Sequence, residues 1–137
     1  MDLHGRSAIV TGGAGGLGGA TVRRLVGQGV GTVVFDMDAD GAADLAGELG
    51  PLACSVGGSV LDDDAVQQAI EAAGHLGMLS IVVNVAGGGV GARTVARDGT
   101  PHSLDDFRRV VELNLVGSFN VTRLAAAKMA ANEPDDE

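Results

Sequence analysis

The chain of 137 residues has no tyrosine and no tryptophan, one cysteine, three prolines and only 2% aromatic residues. Each shortage excludes something. With Cys54 alone no intramolecular disulfide framework is possible, and a lone thiol reads as a small buried apolar side chain rather than a nucleophile. Without tyrosine there is no phenol to act as a general acid or base, and a phenol with its ordinary pKa near ~10 needs a neighbouring cation to work at neutral pH. The sole lysine, Lys128, falls late in a helical stretch. His4, His75 and His102 show no metal-ligand spacing, so no metal site is expected, and His102, beside Pro101 at a helix start, reads as a surface residue. Lysine and arginine number 9 against 18 acids, for a net charge of -9, which argues against nucleic acid because a phosphate backbone is held by clustered cations. No leader-like segment opens the chain and no apolar run is long enough to span a bilayer. A cytoplasmic location with no membrane partner is the expectation.

Glycine and small apolar residues are what the chain has in plenty. There are 23 glycines, 45% hydrophobic residues and a mean hydropathy of +0.24, so the chain can bury a core and lacks the composition of a disordered protein. Its length suits a single domain. Apolar β-branched runs alternate with stretches of helical period, the pattern of βαβ units around a parallel sheet. Strands are expected over residues 8–11, 32–35, 52–56 and 79–83, and helices from the first glycine cluster to about 28, then over 40–49, 62–75 and 103–131. In the first helix Leu17, Thr21 and Leu25 share a face at i+4 spacing. The fourth strand is almost continuously apolar, as in a central strand covered on both sides. Ser103 is a good N-cap for the last helix, with Asp106 three residues on. Residues 1–131 thus form one α/β portion, and 132–137 read as a solvated acidic loop.

Straight after the first strand comes Thr11-Gly12-Gly13-Ala14-Gly15-Gly16-Leu17-Gly18, leading into a helix. A pyrophosphate needs the free N–H groups of a helix N-terminus and no Cβ atoms in its way, and glycines at this turn meet both needs. The run fits Gly13-x-Gly15-x-x-Gly18 or Thr11-Gly12-x-x-x-Gly16-x-Gly18, and alone it could equally be a flexible linker. Its context strengthens it: a strand before, a helix after, and Asp36 about 20 residues on at the end of the second strand. A carboxylate there accepts from a free ribose 2′-OH and repels a 2′-phosphate, selecting NAD over NADP. Asp38 or Asp40 could take that role, and Asp36 could be a solvated turn residue. No Gly-Lys-Ser/Thr follows the glycines, which argues against a nucleoside triphosphatase.

The fourth strand ends in Val83-Asn84-Val85-Ala86-Gly87, small residues at the strand end where a doubly wound sheet binds its ligand. In the last helix Val110, Asn114, Gly117, Val121 and Leu124 alternate in spacings of four and three, which puts Asn114 on an apolar stripe where it must find partners. By spacing alone, an asparagine bonded locally to backbone accounts for it.

The combination of Thr11-Gly12-x-x-x-Gly16-x-Gly18, Asn84-x-Ala86-Gly87 and Asn114, in this order, resembles the short-chain dehydrogenase/reductase family over essentially the whole chain. Within that family, residues 92–102 and the helix start Phe107-Arg108-Arg109-Val110 are similar to the insert and following helix of the type-2 3-hydroxyacyl-CoA dehydrogenases, which are also hydroxysteroid dehydrogenases. The resemblance implies a Rossmann-type doubly wound parallel sheet, with four βα units here in strand order 3-2-1-4 and the remaining C-terminal strands absent. It implies NAD as cofactor, hydride transfer with a secondary alcohol or ketone, and a homo-oligomeric assembly. By motif match Gly12, Gly15, Gly16, Leu17 and Gly18 would hold the pyrophosphate, Asp36 the ribose, and Asn84, Val85, Ala86 and Gly87 the adenosine and nicotinamide-ribose edge. Ser59 and Val60 stand where the family commonly has Asp-Val against adenine, and Val85 replaces a second Asn or a Cys. Asn114 matches the active-site asparagine that holds a helix kink and a relay water. The family's catalytic Ser, Tyr and Lys have no counterpart in the chain, so the expectation is a cofactor-binding half that is inactive alone; a non-catalytic NAD-binding module is the alternative.

Overall fold

A computed structural model describes residues 3–133. Strand β1 (Arg6–Thr11) leads through the glycine loop into helix α1 (Gly16–Val26), and the pattern repeats with β2 (Gly31–Asp36), α2 (Ala39–Leu49), β3 (Ala53–Gly57), α3 (Asp63–Leu76) and β4 (Met78–Asn84). The strands pair in parallel in the order β3-β2-β1-β4, as the family resemblance implies. A long excursion then carries a short antiparallel bridge between Val95 and Pro101. The last helical rod comprises α4 (Leu104–Val111), a π-helical stretch (Glu112–Gly117) and α5 (Ser118–Met129), with helical dihedrals at both junctions.

Alternation along the strands builds two cores. Ile9 and Val33 point to the face where Val66, Ala69 and Ile70 of α3 and Val121 and Ala125 of α5 pack. Val10 and Val34 point to the other face, against Val22 of α1 and Ala42, Leu45 and Ala46 of α2. These successive side chains fall on opposite sides because the strand repeat is two residues, and each buried Val or Leu contributes roughly 1.5–3 kcal/mol. Strands β1 and β2 are thus covered on both faces. Strand β4 pairs only with β1, and Leu79 is its one buried residue. Its apolar run belongs to a central strand, yet with four strands in the sheet it forms an edge.

Side-chain caps start three of the helices, that at Ser103 as expected. Asp38, Asp62 and Ser103 cap α2, α3 and α4 by accepting from the backbone N–H of Gly41, Asp64 and Asp106. Three expectations need correction. In α1 the buried face is Gly18, Gly19 and Val22, whereas Leu17 lies 72% exposed, because the glycines let the helix start press against the β1 turn and rotate Leu17 outward. In the last helix Gly117 and Val121 are buried as the stripe predicted, but Asn114 is exposed, and Asn120 and Ala125 complete the buried face. Asn114 lies within the π turn, which breaks the α-helical period there, while Asn120 and Ala125 follow Gly117 at ordinary helical spacing. Within 132–137, Asn132 does not lie free in solvent: its Nδ2 donates to the Leu79 carbonyl at 2.8 Å, tying the chain to the β4 edge. Residues 134–137 lie outside the described residues. No helix among the described residues is long and apolar enough to cross a membrane.

Candidate cofactor site

At the carboxyl ends of the strands lies a cavity of about 360 Å³. Its walls follow the order of the sheet: Gly58 and Val60 come after β3, Phe35, Asp36 and Met37 from the end of β2, Gly12, Gly15, Gly16, Leu17 and Gly18 after β1, and Val85, Ala86 and Gly87 after β4. Leu113 of the π-helical stretch completes the lining. This is the crevice that a doubly wound sheet leaves open where connections from neighbouring strands depart to opposite faces.

The glycine loop is shaped by close approach. Gly12 has φ +63°, and a Cβ there would lie 2.8 Å from the Ala86 nitrogen; a Cβ on Gly18 would fall onto the Gly12 carbonyl. Both glycines are therefore demanded by the protein itself. Gly16 differs, since it lines the cavity and an added Cβ would meet no protein atom within 4 Å. Helix α1 starts here with no side-chain cap and no acid in its first turn, so its first N–H groups face the cavity end without a competing carboxylate. The Thr11 hydroxyl, buried at the end of β1, accepts from the N–H groups of Val85 and Ala86, both at 3.0 Å, which locks the β4 loop to the glycine loop.

Asp36 stands on the cavity wall with each carboxylate oxygen accepting one backbone N–H: Oδ2 from Ala14 and Oδ1 from Asp38, both at 3.0 Å. A carboxylate oxygen can accept twice, so each keeps a free position. Asp38 is occupied as the α2 cap. Among the residues named from sequence, the two glycine-rich turns, Leu17, Asp36, Val60, Val85, Ala86 and Gly87 come together on the cavity, whereas Ser59, Asn84 and Asn114 are not on its wall. Ser59 turns its hydroxyl back to accept from the Leu61 N–H at 3.2 Å. Asn84 shares a strand face with Val82 and points to α5, where its Nδ2 donates to the Thr122 hydroxyl at 3.1 Å. Asn114 sits behind Gly87. Its Nδ2 donates to the carbonyls of Gly88 (2.7 Å) and Val110 (2.8 Å), and its Oδ1 accepts from the Gly88 N–H (3.2 Å). It thus pins the β4 loop onto the π-helical stretch. Phe35, Met37, Gly58 and Leu113 line the cavity without having been singled out in the sequence; their only signal was adjacency to Asp36, Val60 and Asn114.

Cys54 is half-buried in β3, and burial pushes its thiol above the ordinary value, away from the reactive thiolate. Among the described residues no three His, Cys, Asp or Glu side chains gather in a way that could hold a metal.

Residues 6–134 match the model of the family described as short chain dehydrogenase. A 3-hydroxyacyl-CoA dehydrogenase type-2 of Homo sapiens is 43% identical over 136 residues, covering 98% of this chain and 52% of that protein. Among solved structures, 3-hydroxyacyl-CoA dehydrogenase type-2 from Mycobacterium avium matches with a TM-score of 0.94 and 49% identity over 98% of this chain and 52% of its own. Hydroxysteroid dehydrogenase from Escherichia coli matches with a TM-score of 0.78 and 31% identity, over 93% of this chain and 53% of its own. The chain spans about half the length of the curated relatives it matches.

Proposed function

The chain belongs to the short-chain dehydrogenase family, and from that premise we propose that its 137 residues form the NAD-binding half of an oxidoreductase acting on a secondary alcohol or ketone. The observation that carries this reading is the open space at Gly16. Packing does not require a glycine there, as it does not at Gly47 of α2 or Gly74 of α3, but of these three only Gly16 lines the cavity, where the missing side chain leaves room for a ligand to approach the helix backbone.

The cavity runs along the strand ends, the direction in which a dinucleotide would lie. The adenosine half would lie against Val60, Met37 and Asp36, the pyrophosphate against the glycine loop, and the nicotinamide half against Ala86, Gly87 and Leu113. When bound, the nicotinamide ring gives or takes a hydride. Residues of this chain bind and orient it: the α1 N–H groups stabilise the diphosphate charge, and Asp36 accepts from the ribose 2′-OH with its free lone pairs. A 2′-phosphate would meet the same carboxylate as a like charge, which favours NAD over NADP. Asn114 acts as a positioning residue that holds the loop carrying Gly87. The similarity to 3-hydroxyacyl-CoA dehydrogenase type-2 and hydroxysteroid dehydrogenase supports a 3-hydroxyacyl-CoA or hydroxysteroid as substrate of the whole protein. No tyrosine is present to take the alcohol proton, so the chain alone should form no NADH from such alcohols; turnover by the pure chain would overturn this part of the reading.

Calorimetry of the chain with NAD and NADP tests the cofactor assignment. The unaltered chain should prefer NAD, and Asp36→Ala should cut that preference on the order of tenfold. An unchanged ratio would remove Asp36 from the ribose.

A further inference from the structure

The adenosine end of the cavity is held from behind by a polar relay that the cofactor reading does not use. Asn120 is one of the few buried polar residues, with 7% exposure. Its Nδ2 reaches across from α5 to donate to the Val60 carbonyl at 3.0 Å, and its Oδ1 accepts from Arg123 Nε at 2.8 Å. Arg123 in turn donates from Nη2 to both oxygens of Asp63, at 2.8 and 2.7 Å, at the start of α3. Both ends of the Val60 turn are therefore fastened, the carbonyl of Val60 to α5 and the helix start three residues later to the same arginine. The Val60 side chain is seated as well, because a Cβ on Gly117 would come within 2.6 Å of its Cγ2. Arg123, and after it Asn120, hold the Asp63 carboxyl below its ordinary range, consistent with an ionised acid completing the relay.

Resting on the cofactor reading above, we infer that Asn120, supported by Arg123 and Asp63, is a positioning residue that fixes the Val60 wall and so sets affinity for the adenosine half of the dinucleotide. An asparagine suits this place because one amide supplies a donor to the carbonyl and an acceptor to the guanidinium at once. Leucine of similar size would leave the Val60 carbonyl and the Arg123 Nε without their partners. The relay's hydrogen bonds all fall on the turn after β3 and the start of α3, and none reaches Ala86 or Gly87.

The test compares two ligands on the full chain, each titrated by calorimetry or amide shift changes: ADP-ribose, which carries the adenosine half, and nicotinamide mononucleotide, which lacks it. Asn120→Asp keeps the shape but turns an acceptor toward the Val60 carbonyl, and should weaken ADP-ribose about tenfold while leaving the mononucleotide unchanged. Arg123→Met, at the exposed end of the relay, should weaken ADP-ribose in the same direction by a smaller factor and keeps the inference testable if the buried variant fails to fold. Equal loss of both ligands would mean a general structural role and overturn the inference, as would unchanged ADP-ribose affinity in both variants. Failure of the unaltered chain to bind ADP-ribose would instead bring down the cofactor reading, and this inference with it.

Discussion

Strands β1 and β4 lie side by side and are built from similar apolar residues, but their surroundings differ. In β1, Ala8, Ile9 and Val10 are wholly shielded, because α1 and α2 cover one face and α3 and α5 the other. In β4, Ile81, Val82 and Val83 are only half-buried. The same contrast continues into the helices that follow: α1 packs its glycines onto the β1 turn, whereas α4 has no buried residue and leaves Leu104 and Phe107 exposed, joined further along by Leu115 and Phe119. The cavity at the strand ends spans both regions. Its glycine-loop wall is fixed by steric necessity, and its β4 wall by a few hydrogen bonds from Thr11 and Asn114. The difference teaches that an apolar run reports what a strand is suited to, while burial depends on which neighbours are there to cover it.

The sharpest way to break the comparison is to add one methyl group to each region. Gly18→Ala would drive a Cβ into the Gly12 carbonyl and should lower stability by about 3 kcal/mol or more, whereas Gly91→Ala, with nothing within 4 Å, should stay within about 0.5 kcal/mol. Urea unfolding measures both. A Gly18→Ala protein with the midpoint of the unaltered chain would mean that the loop is far softer than its geometry implies.

Within the glycine loop itself, Gly16→Ala should separate ligand from fold. The added methyl meets open space and reduces the freedom of the unfolded chain, so stability should hold or rise by roughly 0.4–1 kcal/mol while NAD affinity falls. Parallel measurement of Tm and NAD binding decides it; retained affinity would remove the main support for a ligand at that position.

The smallest effect on stability is expected on the exposed side. Replacing Leu115 and Phe119 by lysine together should shift unfolding by less than about 0.5 kcal/mol each, since both are 66% exposed. Their effect should appear in light scattering instead. The unaltered chain, with an open β4 edge and this apolar face, should self-associate, and the double variant should remain dispersed to higher concentration. A monodisperse unaltered chain would show that the exposed face has little cohesive strength.

Much of the fold could be read from the residues. Four βα units and the Ser103 cap follow from periodicity and from local hydrogen-bonding chemistry, which act over a few residues and leave their mark on the sequence, while the strand order came from the family resemblance. The glycine loop and Asp36 were legible for the same reason: a strand, a turn without Cβ atoms and an acid at the next strand end form a pattern with fixed offsets. Other features depended on contacts between distant segments. The orientation of Leu17 follows from how closely α1 approaches the β1 turn, and that distance is set by Gly18 against Gly12 rather than by helical period. Asn84 could be placed at a strand end by sequence, but its partner, Thr122, lies 38 residues away and was brought to it by the packing of α5 on β4. Asn114 falls within the π turn and lies exposed, whereas Asn120, in the regular helix beyond it, is buried and meets Val60, 60 positions away. Sequence alone thus determined the elements, their order and the chemistry available at each strand end, because those rest on local propensity and covalent spacing. Only the tertiary structure decided which polar side chains face the cavity and which hold its walls from behind, because a side chain's partner across the fold is selected by packing that no short window of residues contains.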